Sequence, residues 1–206
     1  MGKLELECGG YHVTLEDEIA LAPRATAEAE GNAEAEAEGT PGVARTVALG
    51  EGQYAAASVV RAAASKDGTE AWNLTLASSG AGTTIRENSA VCLGERIALA
   101  IGPYVVAIEA ATGAIAWQQR CDPASCFGIY RGPSGKGLIS HGEQQIARLA
   151  AEDGTVAWSY AGKDIFTGPF QVAPEGIIAT DFGGNVYALS FDGALQAVEK
   201  GKPFPH

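Results

Sequence analysis

Asp153-Gly154-Thr155-Val156-Ala157-Trp158-Ser159-Tyr160 reads as a tight turn followed by a run of strand length and composition that closes on tryptophan. An Asp-Gly pair accepts the positive φ that such a turn requires. The same unit recurs outward along the chain. Lys66-Asp67-Gly68-Thr69-Glu70-Ala71-Trp72 is an earlier copy, Thr112-Gly113 followed by Ala114-Ile115-Ala116-Trp117 the next. Asp192-Gly193 followed by Ala194-Leu195-Gln196-Ala197 is a later one, and the four copies recur at 39 to 45 residues.

Each turn is preceded by a second apolar run. Val105–Ile108, Gln145–Leu149 and Val186–Leu189 carry central alanines Ala107, Ala147 and Ala188, spaced 40 and 41 residues apart. Further upstream stand the glycine turns Gly102-Pro103, Gly142-Glu143 and Gly183-Gly184-Asn185. Before them come β-like runs at Arg96–Ala100, Gly137–Ser140 and Gly176–Thr180, and a first strand as in Phe166–Ala173. Four strands and three turns in about 40 residues make a propeller blade. The chain is therefore expected to be all-β, a propeller-type array of about four to five antiparallel blades. Its outermost strands should include 70–76, 114–119, 155–160 and 194–199.

Asn185-Val186-Tyr187-Ala188-Leu189 and the 153–160 stretch resemble the PQQ-like β-propeller repeat: a strand ending in Tyr-Ala-Leu, an Asp/Thr-Gly turn, and a strand closing on tryptophan. The resemblance covers about residues 60–200. It implies that Trp72, Trp117 and Trp158 pack between blades; the last copy departs, with Ala197 at the tryptophan position. Blades are expected at about 35–79, 80–121, 122–161 and 162–201, together filling 35–206. Residues 1–34 remain as N-terminal strands, a partial or closing blade packed against the final one. Within the N-terminal region, alternating Ala and Glu from Arg24 to Glu38 about Gly31-Asn32 read as an acidic hairpin.

The resemblance also brings quinoprotein dehydrogenases into view, which hold PQQ and calcium in a complete ring. Adjacent cysteines and a dense Asp/Asn/Glu calcium set are missing from this sequence, and there are too few blades. The expectation is no catalytic, cofactor-binding or metal residue and no cofactor. The histidines are His12, His141 and His206; His141, beside the Gly142-Glu143 turn, reads as a solvent-facing turn residue. Asp181 and Asn185 flank the Phe182-Gly183-Gly184 turn, where such residues hydrogen-bond the turn backbone more often than they hold a cation.

The 206 residues carry 14 Lys and Arg against 25 Asp and Glu, a formal net charge of −11. That balance disfavours nucleic acid and anionic membrane surfaces, both of which are bound by clustered cations. No apolar run approaches the roughly 20 residues of a spanning helix, and the start shows no apolar signal core. Cytoplasm is the expected compartment. Of Cys8, Cys92, Cys121 and Cys126, only the last two are close in sequence, and unpaired thiols suit a cytoplasmic chain.

Propellers bind through interblade loops and the turns between middle strands. Tyr104, Arg120, Asp122, Phe127, Lys163, Phe166, Asp181, Phe182 and Asn185 occupy such places and are the candidate partner contacts. The expected function is a non-catalytic binding or scaffold module for a protein partner, as a monomer in preference to a paired half-ring dimer. The alternative is a small-ligand or degenerate enzyme propeller with its site in the central channel.

Overall fold

The computed structural model of the chain describes residues 2–18, 45–50, 57–79, 84–135 and 137–201. These residues form 17 strands in four sheets, with one 3₁₀ turn at Pro133–Gly135 and no α-helix among them.

The first sheet has five strands in the order β1-β2-β4-β5-β3: β1 Lys3–Cys8, β2 Tyr11–Glu18, β3 Arg45–Leu49, β4 Ala57–Lys66 and β5 Thr69–Ser79. The other three are four-stranded antiparallel meanders. The second holds β6 Ala90–Cys92, β7 Arg96–Ile101, β8 Tyr104–Glu109 and β9 Ile115–Arg120. The third holds β10 Cys126–Arg131, β11 Leu138–Gly142, β12 Gln145–Leu149 and β13 Val156–Ala161. The fourth holds β14 Phe170–Ala173, β15 Gly176–Thr180, β16 Asn185–Leu189 and β17 Leu195–Lys200. The array is all-β and blade-like, as expected from the repeat.

The N-terminal strands correct the expected division of the chain. They form no partial blade against the last sheet: β2 pairs with β4, and β1 with β2, so they are the first two strands of the first sheet. The reason is the apolar face of β4, where Ala62 and Ala64 need partners and find Leu15 and Val13 directly opposite. Leu4 and Leu6 extend that face on β1. β3 then lies parallel to β5 on the far edge, Val47 opposite Leu76. The expected hairpin at 24–38 lies outside the described residues.

Three apolar layers separate the four sheets. Leu15, Val60, Leu74 and Leu76 meet Ile97, Leu99, Val106 and Ile108 between the first and second. Ala98, Val105 and Ala107 meet Ile129, Leu138 and Leu149 between the second and third. Ile139 and Ile146 meet Phe166, Ile177, Tyr187 and Leu189 between the third and fourth. β7 and β8 are packed on both faces, so their burial runs almost unbroken; β5, with one face packed, alternates from Trp72 onward.

One device joins successive sheets. The Trp72 indole N–H donates to the Ala110 carbonyl (2.8 Å), Trp117 to Ala151 (3.2 Å) and Trp158 to Phe191 (2.8 Å). Each indole lies over a turn glycine of the next sheet, Gly113, Gly154 and Gly193, whose φ values are 68°, 73° and 83°. Arginines reach the same turns: Arg45 to Gly113 O (2.8 Å), Arg96 to Glu152 O (2.8 Å) and Arg148 to Phe191 O (3.1 Å).

Strand register also revises the repeat. Ala64, Ala107 and Arg148 stand opposite Trp72, Trp117 and Trp158, and Ala188 stands opposite Ala197. Arg148, not Ala147, is therefore the counterpart of Ala107 and Ala188. The turns differ as well. Asp67-Gly68 is a two-residue turn with both φ positive (53° and 76°), whereas the later loops span 110–114, 150–155 and 190–194.

Candidate binding site

The first strands β6, β10 and β14 lie on one side of their sheets, with β10 against β6 and β7. On that side a half-open cavity of about 420 Å³ lies between the segment before β6, the third sheet and the start of the fourth. Arg86 and Asn88 come from the segment before β6, Phe127 and Tyr130 from β10, and His141 from β11. Thr167, Gly168 and Phe170 come from β14 and the approach to it. The wall is aromatic. The His141 ring stacks on Phe170 (4.2 Å between centroids, 6° between planes) and meets Phe127 edge-on at 5.6 Å. Tyr130 lies 4.9 Å from Phe170.

His141 is buried, which corrects its reading as a solvent-facing turn residue. β11 is buried along its whole length, so a polar side chain there must be satisfied internally. Its Nε2 lies 3.2 Å from the Phe166 carbonyl, which requires the neutral ring to carry its proton on Nε2. Burial pushes its pKa down to about 4; the Phe166 carbonyl and the Asp122 carboxylate oppose the shift without reversing it. Burial likewise raises the pKa of Tyr130, against a hydrogen bond with Asn88.

The expected contact residues scatter. Phe127 alone among them lines the cavity, at 39% exposed. Phe182, at 41%, stands on the turn between β15 and β16. Arg120 is exposed and reaches the Pro123 carbonyl (3.0 Å), and Lys163 is exposed with its backbone N–H on the Tyr187 hydroxyl (3.0 Å). Tyr104 is half-buried against Gly50 and the first apolar layer.

Three others are internal and cannot meet a partner. Phe166 is fully buried because the third apolar layer closes over it. Asp122 spends one oxygen on the N–H groups of Ala124 (2.7 Å) and Ser125 (2.9 Å), the other on those of Gln144 (2.8 Å) and Gln145 (2.9 Å). Asp181 accepts from the Asn185 backbone and side chain (2.7 and 2.8 Å) and from the Tyr187 hydroxyl (2.7 Å), so Asn185 is committed too. Burial pushes the Asp181 pKa up, but those hydrogen bonds outweigh it and the net shift is downward.

Asp122 and Asp181 thus both close turns. Among the described residues no three His, Cys, Asp or Glu side chains gather as a metal set. The donor chemistry of the described residues does not fit a calcium-held quinone. A second hollow, about 310 Å³ beside Leu93 and Ala151, has its arginine, Arg96, engaged by Glu109 at 2.7 Å and by the Glu152 carbonyl.

Two of the four cysteines depart from the expected unpaired state, and two keep it. Cys8 at the end of β1 is disulfide-bonded to Cys92 at the end of β6, tying the first sheet to the second across 84 positions of sequence. Cys121 and Cys126 are free and buried. Burial raises both thiol pKa values, that of Cys121 to about 12. Folding decides the pairing, because β1 and β6 are neighbours only in the assembled array.

The crystal structure of BamB from Moraxella catarrhalis aligns at 18% identity and TM-score 0.47, over 69% of this chain and 42% of that one. The WD40 β-propeller domain of Doa1 aligns at 16% identity and TM-score 0.49, over 76% of this chain and 56% of that one. The chain thus spans less than two thirds of either structure. Comparison with curated proteins returns no match. A family model described as "Outer membrane protein assembly factor BamB" matches residues 56–202, which takes in the last two strands of the first sheet and the three sheets after it. By that match, the chain belongs to the BamB family of PQQ-like repeats.

Proposed function

We propose that the chain is a non-catalytic binding module that presents its last sheet and adjoining turns to a protein partner. The carrying observation is the placement of exposed apolar side chains. Of the five large ones among the described residues, Phe127, Ile178, Phe182, Leu195 and Val198, all but Phe127 belong to the fourth sheet or its turns. Register sets Ile178 on the outer face of that sheet and Val198 on the face shared with Tyr187. Exposed apolar side chains thus stand on both faces of the last sheet, and exposed apolar surface is a common mark of an interaction site. The family name supports a partner in outer membrane protein assembly. The Cys8–Cys92 bridge supports an oxidising compartment in place of the expected cytoplasm. No helix among the described residues is long and apolar enough to cross a membrane.

The test is a photo-crosslinking residue placed at Phe182, with one at Arg61 on the polar face of the first sheet as control. A discrete adduct from position 182, absent from position 61, supports the reading. Equal labelling from both positions counts against it. An adduct of twice 21.1 kDa identifies the partner as a second copy and rejects the monomer.

A further inference from the structure

The aromatic cavity borders the fourth sheet at Phe170 of β14, and its chemistry differs from that of the exposed apolar side chains on β15, β17 and the Phe182 turn. Arg86 is the only charged side chain among the described residues that line it, in a chain whose formal charge is −11. The His141 ring adds no charge near neutral pH, because burial holds its pKa at about 4. Its N–H is turned to the Phe166 carbonyl, and the neutral ring stacks behind Phe170 as part of the aromatic wall. Phe127 stands 39% exposed at one side of that wall, and Arg86 is exposed as well. A volume of about 420 Å³ lies within the usual range for small-molecule sites.

We propose that this cavity binds a carboxylate carried on a flat aromatic ring, with the carboxylate on Arg86 and the ring against Phe127 and Phe170. A guanidinium offers two parallel N–H donors that match the two oxygens of a carboxylate. Aromatic side chains in stacked and edge-on arrangements accept a further ring in offset or edge geometry. The cavity thus selects an anion over a cation, and a planar body over an aliphatic one. Such a group is supplied by a free aromatic acid or by the C-terminal aromatic residue of a peptide. Binding there rests on Arg86 and the aromatic wall and not on protein docking at Ile178, Phe182, Leu195 or Val198.

The experiment is titration of the whole chain with phenylacetate, N-acetylphenylalanine and phenylacetamide, followed by calorimetry and by amide NMR shifts. The two acids are expected to saturate the protein and shift amides of 86–88, 127–130 and 167–170, with the neutral amide about tenfold weaker. R86Q should lower the affinity of both acids about tenfold and leave that of phenylacetamide unchanged. Because Arg86 is exposed, unchanged melting of R86Q verifies folding. F170L should weaken all three ligands, which separates ring binding from simple charge attraction. Preference for N-acetylphenylalanine assigns the source to a chain terminus, and preference for phenylacetate assigns it to a free acid. No saturation by about 10 mM acid, equal affinity for acid and amide, or indifference to R86Q would overturn the proposal.

Discussion

Trp117 lies directly over Gly154: a Cβ added to that glycine would stand 2.5 Å from Cε3 of the indole. The glycine serves two needs together, since its φ of 73° also lies in the left-handed region. Gly68, on the two-residue turn of the first sheet, has a φ of 76° with nothing within 4 Å of a built Cβ. The pair separates strain from collision. Gly68→Ala should cost about 1–2 kcal/mol for the left-handed backbone alone. Gly154→Ala should cost about 1–3 kcal/mol more through forced repacking. Urea unfolding midpoints check this, and equal losses would mean that the indole is not held against the turn.

Truncation of the tryptophan itself removes both its packing and its hydrogen bond. Trp117→Ala should destabilise by about 3–5 kcal/mol. A phenylalanine at the same position keeps most of the ring but leaves the Ala151 carbonyl without the indole donor, and should cost less. A domain of ordinary stability, about 5–15 kcal/mol, can lose most of its margin to the alanine variant. Near-wild-type midpoints for Trp117→Ala would contradict the buried position observed.

His141 makes stability pH-dependent in a defined direction. Its folded pKa, about 4, lies below the ordinary 6.5, so the unfolded chain binds the proton first. The contribution is fully present above pH 6.5 and is lost as pH falls toward 4, below which both states are protonated. The total is at most about 3 kcal/mol, because each tenfold difference in proton affinity between the two states corresponds to about 1.4 kcal/mol. His141→Gln should flatten that part of the stability profile. The His141 ring resonance should titrate near pH 4 in the folded protein, and a midpoint at 6.5 would refute the buried neutral ring.

The thiols divide two and two. Cys121 and Cys126 are buried, and their raised pKa values keep them as unreactive thiols near neutral pH. A thiol reagent at about pH 8, near the ordinary thiol pKa, should label neither quickly in the native protein. Two should react after unfolding without reductant, and all four after reduction. Loss of the Cys8–Cys92 bridge should cost about 2–5 kcal/mol, because it closes a long loop. Four reactive thiols in the unfolded, unreduced chain would place every cysteine in the reduced state.

Much of the architecture is legible in the sequence because turns and strands are local. Asp153-Gly154 followed by Val156 to Tyr160 carries its own turn and its own outer strand, and each sheet after the first is one contiguous meander. The N-terminal strands escape such a reading for the opposite reason. β2 reaches β4 across an intervening segment, and a repeat search sees only neighbours in sequence. Candidate contacts chosen by loop position fail where a loop is packed. Phe166 belongs to a connecting segment yet is fully buried, and Asp122 and Asp181 are consumed by backbone donors.

What the sequence determined by itself is the repeating unit: Asp-Gly and related turns set the reversals, and apolar runs set the strands. What only the tertiary structure decided is which face each strand turns to its neighbour. A shift of one residue exchanges faces. The regular spacing of alanines thus selects Ala147, while register places Arg148 beside Trp158 and sends its guanidinium to the next turn. The same holds for the cavity. Arg86, Phe127, His141 and Phe170 come from three sheets and their approaches, and no local signal ties them together. The Cys8–Cys92 bridge is the clearest case, since 84 positions of chain separate sulfurs that only sheet stacking brings within bonding distance.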